Sequence, residues 1–300
     1  MKQSTAWILA IVVVILFFVG GATFLFYSLM TLSTSDDDIS SGYGDKIAVV
    51  ELRGVILQSE DVVKQIKKFR EDKSVKAILL HVDSPGGGVA ASQEIYEEVR
   101  KTRERKPIVV SMASLAASGG YYVSCGATKI VANRGTLTGS IGVISEFFRF
   151  DPLLNKVGVS VNTIKSGKLK DAGSPFREMA PTEKKYFQDL MDGVHKQFMA
   201  VVEQERKLPH ETVTELSDGR VFTGEQAVAL GLIDTTGTFE DAIEITAKLA
   251  HIKGKPSIVR ERKRGKSLFD MVFGEAKISD FLKMKDDILD QPMLQYKMLP

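Results

Sequence analysis

Cysteine is nearly missing from this sequence. Cys125 is its one copy among 300 residues, which excludes an intrachain disulfide and a zinc site of the usual multi-cysteine spacing. Cys125 reads as a small buried core residue, with a second nucleophile as the weaker alternative. Histidine is scarce as well: His81, His195, His210 and His251 are the four copies, and no HExxH occurs, so zinc hydrolysis has no support. There is no excess of either charge. The formal net charge is +2 with 26% charged residues, which gives no case for nucleic-acid binding. Two phosphate-cradling patterns fail. Gly88 is followed by Val89 and Ala90 where a phosphate loop needs Lys and Ser or Thr, and no Gly-x-Gly-x-x-Gly is present. No internal repeat is found.

What the sequence does have begins with one long uncharged run, Ala6 to Met30. About 20 helical residues span the hydrocarbon core of a bilayer, whereas the apolar part of a cleaved signal peptide is about 7–15 residues with a small-x-small site after it. The run therefore reads as a retained transmembrane anchor over 6–30. Lys2 and the amino terminus precede it and Asp36, Asp37 and Asp38 follow it. Residues 1–5 are thus expected in the cytoplasm, with the rest of the chain outside a plasma (inner) membrane crossed once. Residues 31–45 (TLSTSDDDISSGYGD) read as a flexible stalk.

From Lys46 to residue 252 the pattern is that of one α/β domain. IAVVEL (47–52), AILLHV (77–82), PIVVSMA (107–113) and TKIVA (128–132) read as strands. Helical spacing follows Ser59, whose hydroxyl is the expected cap, and recurs at Ala91, Ile95 and Val99, over 118–125 and 182–206, and in two later segments. Near-continuous apolar strands alternating with helices predict a mainly parallel, buried sheet. The extension 253–300 starts basic (KGKPSIVRERKRGK), the mark of a solvated face or, less often, of contact with anionic lipid. Its end, PMLQYKMLP, is apolar and extended enough to enter a peptide groove, against the plain reading of a frayed terminus.

Two glycine-flanked segments carry the chemistry. DSPGGG (83–88) follows a strand and precedes a helix, and serves either as an oxyanion hole or as a tight structural turn; taken alone, the turn is favoured. LAASGGYY (115–122) puts Ser118 at the start of a helix, where free N–H groups favour developing negative charge. Alone, Ser118 would be an N-cap. Two such segments at the ends of adjacent parallel strands can face one crevice, and the pair favours a nucleophile. No histidine has a supporting motif, so a lysine is the alternative base. Lys165, Lys168 and Lys170 in IKSGKLKDAGSPF (164–176) are candidates that the residues alone do not separate. Ser140 in TGSIGV (138–143) is a candidate hydroxyl for orienting the amine.

These segments, with KSGKLKDAGSPFREM (165–179) and GRVFTGEQAVALGLID (219–234), resemble the signal peptide peptidase A family in its short bacterial form, in the family's order over roughly Lys46 to Ala250. The resemblance implies a fold similar to the ClpP and crotonase proteins, and a membrane-anchored serine endopeptidase with a Ser-Lys dyad. It implies Ser118 as nucleophile, Lys170 as general base, Ser140 as the hydroxyl holding the lysine, and Gly86 and Gly119 as oxyanion donors. It also implies peptide substrates such as remnant signal peptides, no metal or cofactor, and a ring- or dome-shaped homo-oligomer in which neighbouring subunits share the dyad. The rival readings are an acyl-CoA hydratase or isomerase on the same fold and an inactive membrane scaffold.

Overall fold

The computed structural model describes residues 20–21, 45–261 and 295–297. Gly20 and Gly21 are helical and belong to a separate unit, residues 1–40; the α/β domain lies in the second unit, residues 41–300. The anchor expected over 6–30, the stalk over 31–45 and most of the extension from 253 therefore lie outside the described residues. Among the described residues no helix is long and apolar enough to cross a membrane.

The strands in chain order are Lys46–Arg53 (β1), Val75–Ser84 (β2), Gly86–Gly88 (β3), Ile108–Ala117 (β4), Lys129–Ala132 (β5), Leu137–Gly139 (β6), Val221–Thr223 (β7), Thr235–Thr236 (β8), Ser257–Arg260 (β9) and Gln295–Lys297 (β10). The helices are Glu60–Glu71 (α1), Val89–Arg103 (α2), Gly119–Cys125 (α3), Asp151–Lys156 (α4), Pro181–Arg206 (α5), His210–Leu216 (α6), Gly224–Ala229 (α7) and Phe239–Leu249 (α8). The main sheet runs β7-β6-β4-β2-β1-β9, with β5 beside β4 and β8 beside β5. Every pairing in it is parallel except β6 with β7.

The strands are apolar on both faces because helices cover both. Ile78, Leu80 and Val82 of β2 join Ile66 and Phe69 of α1 and Ile95 and Val99 of α2 in one core. Leu79, between them, faces the other way and joins Ile47, Val49, Val109 and the Ala242 and Ala247 of α8 in a second. This is the period-2 alternation of a strand buried on two sides. Each such aliphatic side chain contributes about 1.5–3 kcal/mol when fully buried. The register is thereby fixed, and with it the ends of β2 and β4, where the chain turns into the glycine-rich segments.

Local signals and tertiary packing disagree in places. Thr238 starts α8 as its residue type predicts: its hydroxyl accepts from Asp241 N–H at 3.2 Å, and the Asp241 carboxylate accepts from Thr238 N–H at 2.7 Å. Ser59 does not cap α1; its hydroxyl instead bonds Glu94 on α2, tying two helices together. The sheet also continues past residue 252. Ser257–Arg260 pairs in parallel with Lys46–Val49, so SIVR within the basic run is a strand with Val259 buried rather than a solvated face. Between Ser145 and Ala180 the chain forms an arm whose one regular element is α4, and it leaves Phe148, Leu153, Val157 and Ile164 exposed.

Candidate active site

Ser118 is the single residue joining β4 to α3, and its backbone is strained, with φ 52 and ψ −115. A serine in that sparse region costs about 1–3 kcal/mol, which the surroundings must offset. Two backbone bonds hold it: Ser118 N–H donates to Gly139 C=O at 2.8 Å, and Ser118 C=O accepts from Tyr122 N–H at 2.8 Å. The hydroxyl does not cap α3, so the N-cap role that its position suggests is not the one it takes. Its small neighbours answer to close packing. A Cβ on Gly120 would lie 3.0 Å from Ser84 C=O, and one on Gly119 would lie 2.5 Å from Ser92 Oγ.

DSPGGG is not simply a turn. Gly86 has a turn-like φ of 95, yet Gly86–Gly88 is a short strand. On one side Ile56 N–H donates to Gly86 C=O at 2.9 Å and Gly88 N–H donates to Ile56 C=O at 2.7 Å. Strand alternation then turns the Gly87 N–H and C=O to the opposite side. The Gly86 N–H, expected from the resemblance to be an oxyanion donor, is engaged: it donates to Ser84 Oγ at 3.1 Å. The amide of this strand that faces the crevice is that of Gly87.

The crevice is filled by the chain's own tail. Gln295, Tyr296 and Lys297 pair antiparallel with Gly88, Gly87 and Gly86. On the tail's other side Ile144 N–H donates to Gln295 C=O at 3.1 Å and Gln295 N–H donates to Ile144 C=O at 3.2 Å. Tyr296 is fully buried; its ring stacks on Tyr122 at 5.1 Å and meets Phe198 at 4.7 Å, and its hydroxyl reaches Val194 C=O at 3.3 Å. Burial pushes its phenol well above the usual range. The Tyr296 carbonyl oxygen lies 2.0 Å from where a Gly86 Cβ would stand and 3.1 Å from where a Gly119 Cβ would stand, so a side chain on either glycine would intrude on it. An extended peptide thus lies in a groove between β3 and Ile144 and turns a carbonyl toward the residue after Ser118. The sequence marked PMLQYKMLP as able to enter a groove but did not pick out Tyr296 as its buried residue.

Ser140 belongs to the same cluster. It too has a positive φ, 50, is buried, and donates its N–H to Arg220 C=O at 2.8 Å; the carbonyl just before it, Gly139, is the one that anchors Ser118. Lys170 does not join the cluster within one chain. It is exposed on the arm, and among the described residues no hydrogen bond or ion pair joins it to Ser118 or Ser140. Of the other candidates, Lys165 is paired with Asp171. His81 packs against Phe239 of α8 at 4.9 Å, and burial lowers its pKa, so it stays neutral on that side of the sheet. Cys125 is buried and its thiol is pushed up to about 12 by desolvation, which makes it a core residue. Among the described residues no group of His, Cys, Asp and Glu could hold a metal ion.

One feature escaped the sequence reading. Arg177 uses all five of its donors: Nε to Asp171 Oδ2 at 2.9 Å, Nη2 to Asp171 C=O at 2.9 Å and to Glu183 Oε1 at 2.6 Å, Nη1 to Glu183 Oε2 at 2.8 Å and to Glu178 C=O at 3.1 Å. Asp171 and Glu183 each stand six positions from Arg177, a spacing that matches neither helix nor strand. Opposite charge was the one available signal.

The description of peptidase family S49 matches residues 100–253, and that of Clp protease matches residues 50–142. A protein of Methanocaldococcus jannaschii named "Putative protease MJ0651" is 36% identical over 281 residues, 89% of each chain. "Putative signal peptide peptidase SppA" of Enterococcus faecium is 43% identical over 63% of this chain and 55% of its own. "Serine protease SPPA, chloroplastic" of Arabidopsis thaliana is 34% identical over 78% of this chain and 37% of its own.

Proposed function

The chain belongs to peptidase family S49, serine proteases with a ClpP-like domain, and we propose that it is a membrane-anchored endopeptidase with Ser118 as nucleophile and Lys170 as general base. In this reading the Ser118 Oγ attacks a peptide carbonyl carbon while the neutral Lys170 amine takes its proton. The oxyanion is held by the N–H groups of Gly119 and Gly87, with Gly86 leaving room for it. Collapse breaks the C–N bond, and Lys170 returns its proton to the departing amine. Water, deprotonated by the same lysine, then cleaves the acyl-enzyme ester.

The observation that carries the reading is the tail strand: an antiparallel peptide lies in the crevice with a carbonyl at the two glycine segments, beside a strained serine whose hydroxyl caps nothing. It favours peptide substrates bound by strand addition, and the Tyr296 pocket favours an aromatic or large apolar residue on the acyl side of the cleaved bond. A lysine acts as base only when neutral. Moving its pKa from about 10.4 to about 7 takes about 4–5 kcal/mol of desolvation or charge bias. Lys170 is exposed on an arm that also exposes Phe148, Leu153 and Ile164. A second copy covering that arm would supply the burial, so we take the active form to be a homo-oligomer that pairs Ser118 of one subunit with Lys170 of the next, with Ser140 orienting the amine. The anchor over 6–30 puts this site at a membrane, outside the cytoplasm, where remnant signal peptides and similar apolar peptides are the substrate class.

The test is labelling by a fluorophosphonate together with cleavage of a peptide ester by the full chain in detergent. Ser118→Ala should abolish both. Lys170→Ala should abolish cleavage in a protein that still melts cooperatively. Full activity in the Lys170→Ala protein would sink the dyad.

A further inference from the structure

The arm that bears Lys170 has little regular structure, yet it is pinned at one point with unusual thoroughness. Three successive turns carry it: Lys170 N–H to Gly167 C=O, Ala172 N–H to Leu169 C=O and Ser174 N–H to Asp171 C=O, each at 3.1 Å. Arg177 then grips Asp171 by both its carboxylate and its backbone carbonyl and joins it to Glu183 in the first turn of α5. Glu183 is itself fixed, accepting from Ala180 N–H at 2.9 Å. Capping α5 needs Glu183 alone; it does not need the two bonds to Asp171. Those bonds act on the residue covalently next to Lys170.

We propose that Arg177 is a positioning residue for the general base: it fixes the Lys170–Asp171 backbone on α5 and neutralises the carboxylate of Asp171, the residue that follows Lys170 in the chain. The inference rests on the reading of Lys170 as the base. A bare carboxylate next to a lysine stabilises the ammonium form, the wrong form for a base. Here Asp171 meets two cations, Lys165 from its own turn and Arg177. Glu183 faces Arg177 from α5 and completes a set of two positive and two negative groups. Elsewhere on the arm Arg149 pairs with Asp151 at 2.6 Å and faces Glu178 at 3.7 Å, the Lys165 ammonium also donates to the Lys168 carbonyl, and the Lys168 side chain is exposed. The Asp171 carboxyl is held far below its usual range, by Arg177 first and Lys165 second, which agrees with a carboxylate whose charge is fully matched. A lysine in place of Arg177 would keep the charge but not the planar five-donor fork.

The experiment is the pH profile of kcat/KM for peptide-ester hydrolysis by the full chain, normalised to the active sites titrated with a fluorophosphonate. In this reading activity rises with pH as the general base loses its proton. In Arg177→Gln the midpoint of that rise should move up by about one pH unit, an approximately tenfold loss at neutral pH that closes in alkali. Arg177→Lys should keep the wild-type midpoint and lose about tenfold in kcat at every pH. Asp171→Asn added to Arg177→Gln should bring the midpoint back. A midpoint unmoved in Arg177→Gln overturns the proposal, because a purely structural role lowers only the number of titrated sites. If Arg177→Gln fails to fold, Asp171→Asn alone decides: its midpoint should fall, and an unchanged one overturns the proposal. Full activity in Lys170→Ala would remove the underlying reading, a result distinct from an unmoved midpoint in an enzyme that still needs Lys170.

Discussion

Replacing Tyr296 by alanine should open the groove. The side chain is fully buried between Tyr122 and Phe198, and such aromatic-to-alanine changes cost about 3–5 kcal/mol. Its hydroxyl bond, at 3.3 Å, adds little to that. The cost falls on the docking of the tail, because Tyr296 belongs to β10 while the rings it meets, Tyr122 of α3 and Phe198 of α5, belong to the domain on which the tail lies. At 1.4 kcal/mol per decade, the docked-to-undocked ratio drops by about two to three and a half decades. A short peptide ester should then be hydrolysed with a kcat/KM at least about tenfold above wild type, the gain being capped once the groove is mostly free. Hydrogen exchange gives an independent reading. The Ile144 amide, held by Gln295 C=O in the wild-type chain, should exchange fast in the variant. Unchanged kcat/KM together with unchanged Ile144 protection would refute the reasoning.

Other outcomes rest on the same geometry. Gly119→Ala adds a methyl 2.5 Å from the buried Ser92 Oγ, which would have to give up its bond to Gly88 C=O, 3.1 Å from the carbonyl in the groove and 3.2 Å from Gly86 Cα; peptide-ester kcat should fall by at least about tenfold and the melting temperature should drop by a few degrees, at about 1 kcal/mol for the lost bond. Cys125, buried with its thiol pushed up to about 12, should resist iodoacetamide at pH 8 in the native protein and react on addition of guanidinium, as read by mass spectrometry. Arg177 first, then the Ala180 N–H, hold the Glu183 carboxyl down from 4.5 to about 2. A depressed carboxylate stabilises the fold fully above its unfolded pKa and loses that contribution as pH falls through the folded value. Glu183→Gln should therefore lower the urea midpoint at pH 6, and the difference should shrink as pH falls toward 2.

The strands that were legible in the sequence are those whose side chains carry the evidence. Ile78 to Val82 is a β-branched and leucine-rich run because helices press on both faces, and burial of that kind leaves its mark in composition. β3 and β6 carry little such mark: Gly86–Gly88 has no side chains to alternate, and Leu137–Gly139 is three residues long. Which glycine N–H faces the groove depends on pairing with Ile56, thirty residues earlier in the chain, so the choice between Gly86 and Gly87 was not local information. Ser118 was legible as the start of a helix from its glycines, but its unused hydroxyl was not, since a serine there caps as readily as it reacts. Lys170 could be singled out only by resemblance, because it lies exposed on the arm as Lys168 does, and among the described residues neither side chain has a hydrogen bond or ion pair.

The place of β9 has a consequence for how the chain is made. Lys46 opens β1, and its partner on one side is Ser257, close to the last described part of the domain. While the protein is being synthesised, β1 and β2 can meet early, but the far edge of β1 stays bare until Ser257–Arg260 emerges. A bare apolar edge is a template for other chains, and long-range closure of this kind is slow. Once in place, β9 is a poor template itself: four residues long, ending in Arg260, which lies over Phe239 and faces Glu51. A chain cut before residue 257 would keep Ser118 and Lys170 and still be expected to aggregate, because the strand it lacks is the one that makes the sheet's edge safe.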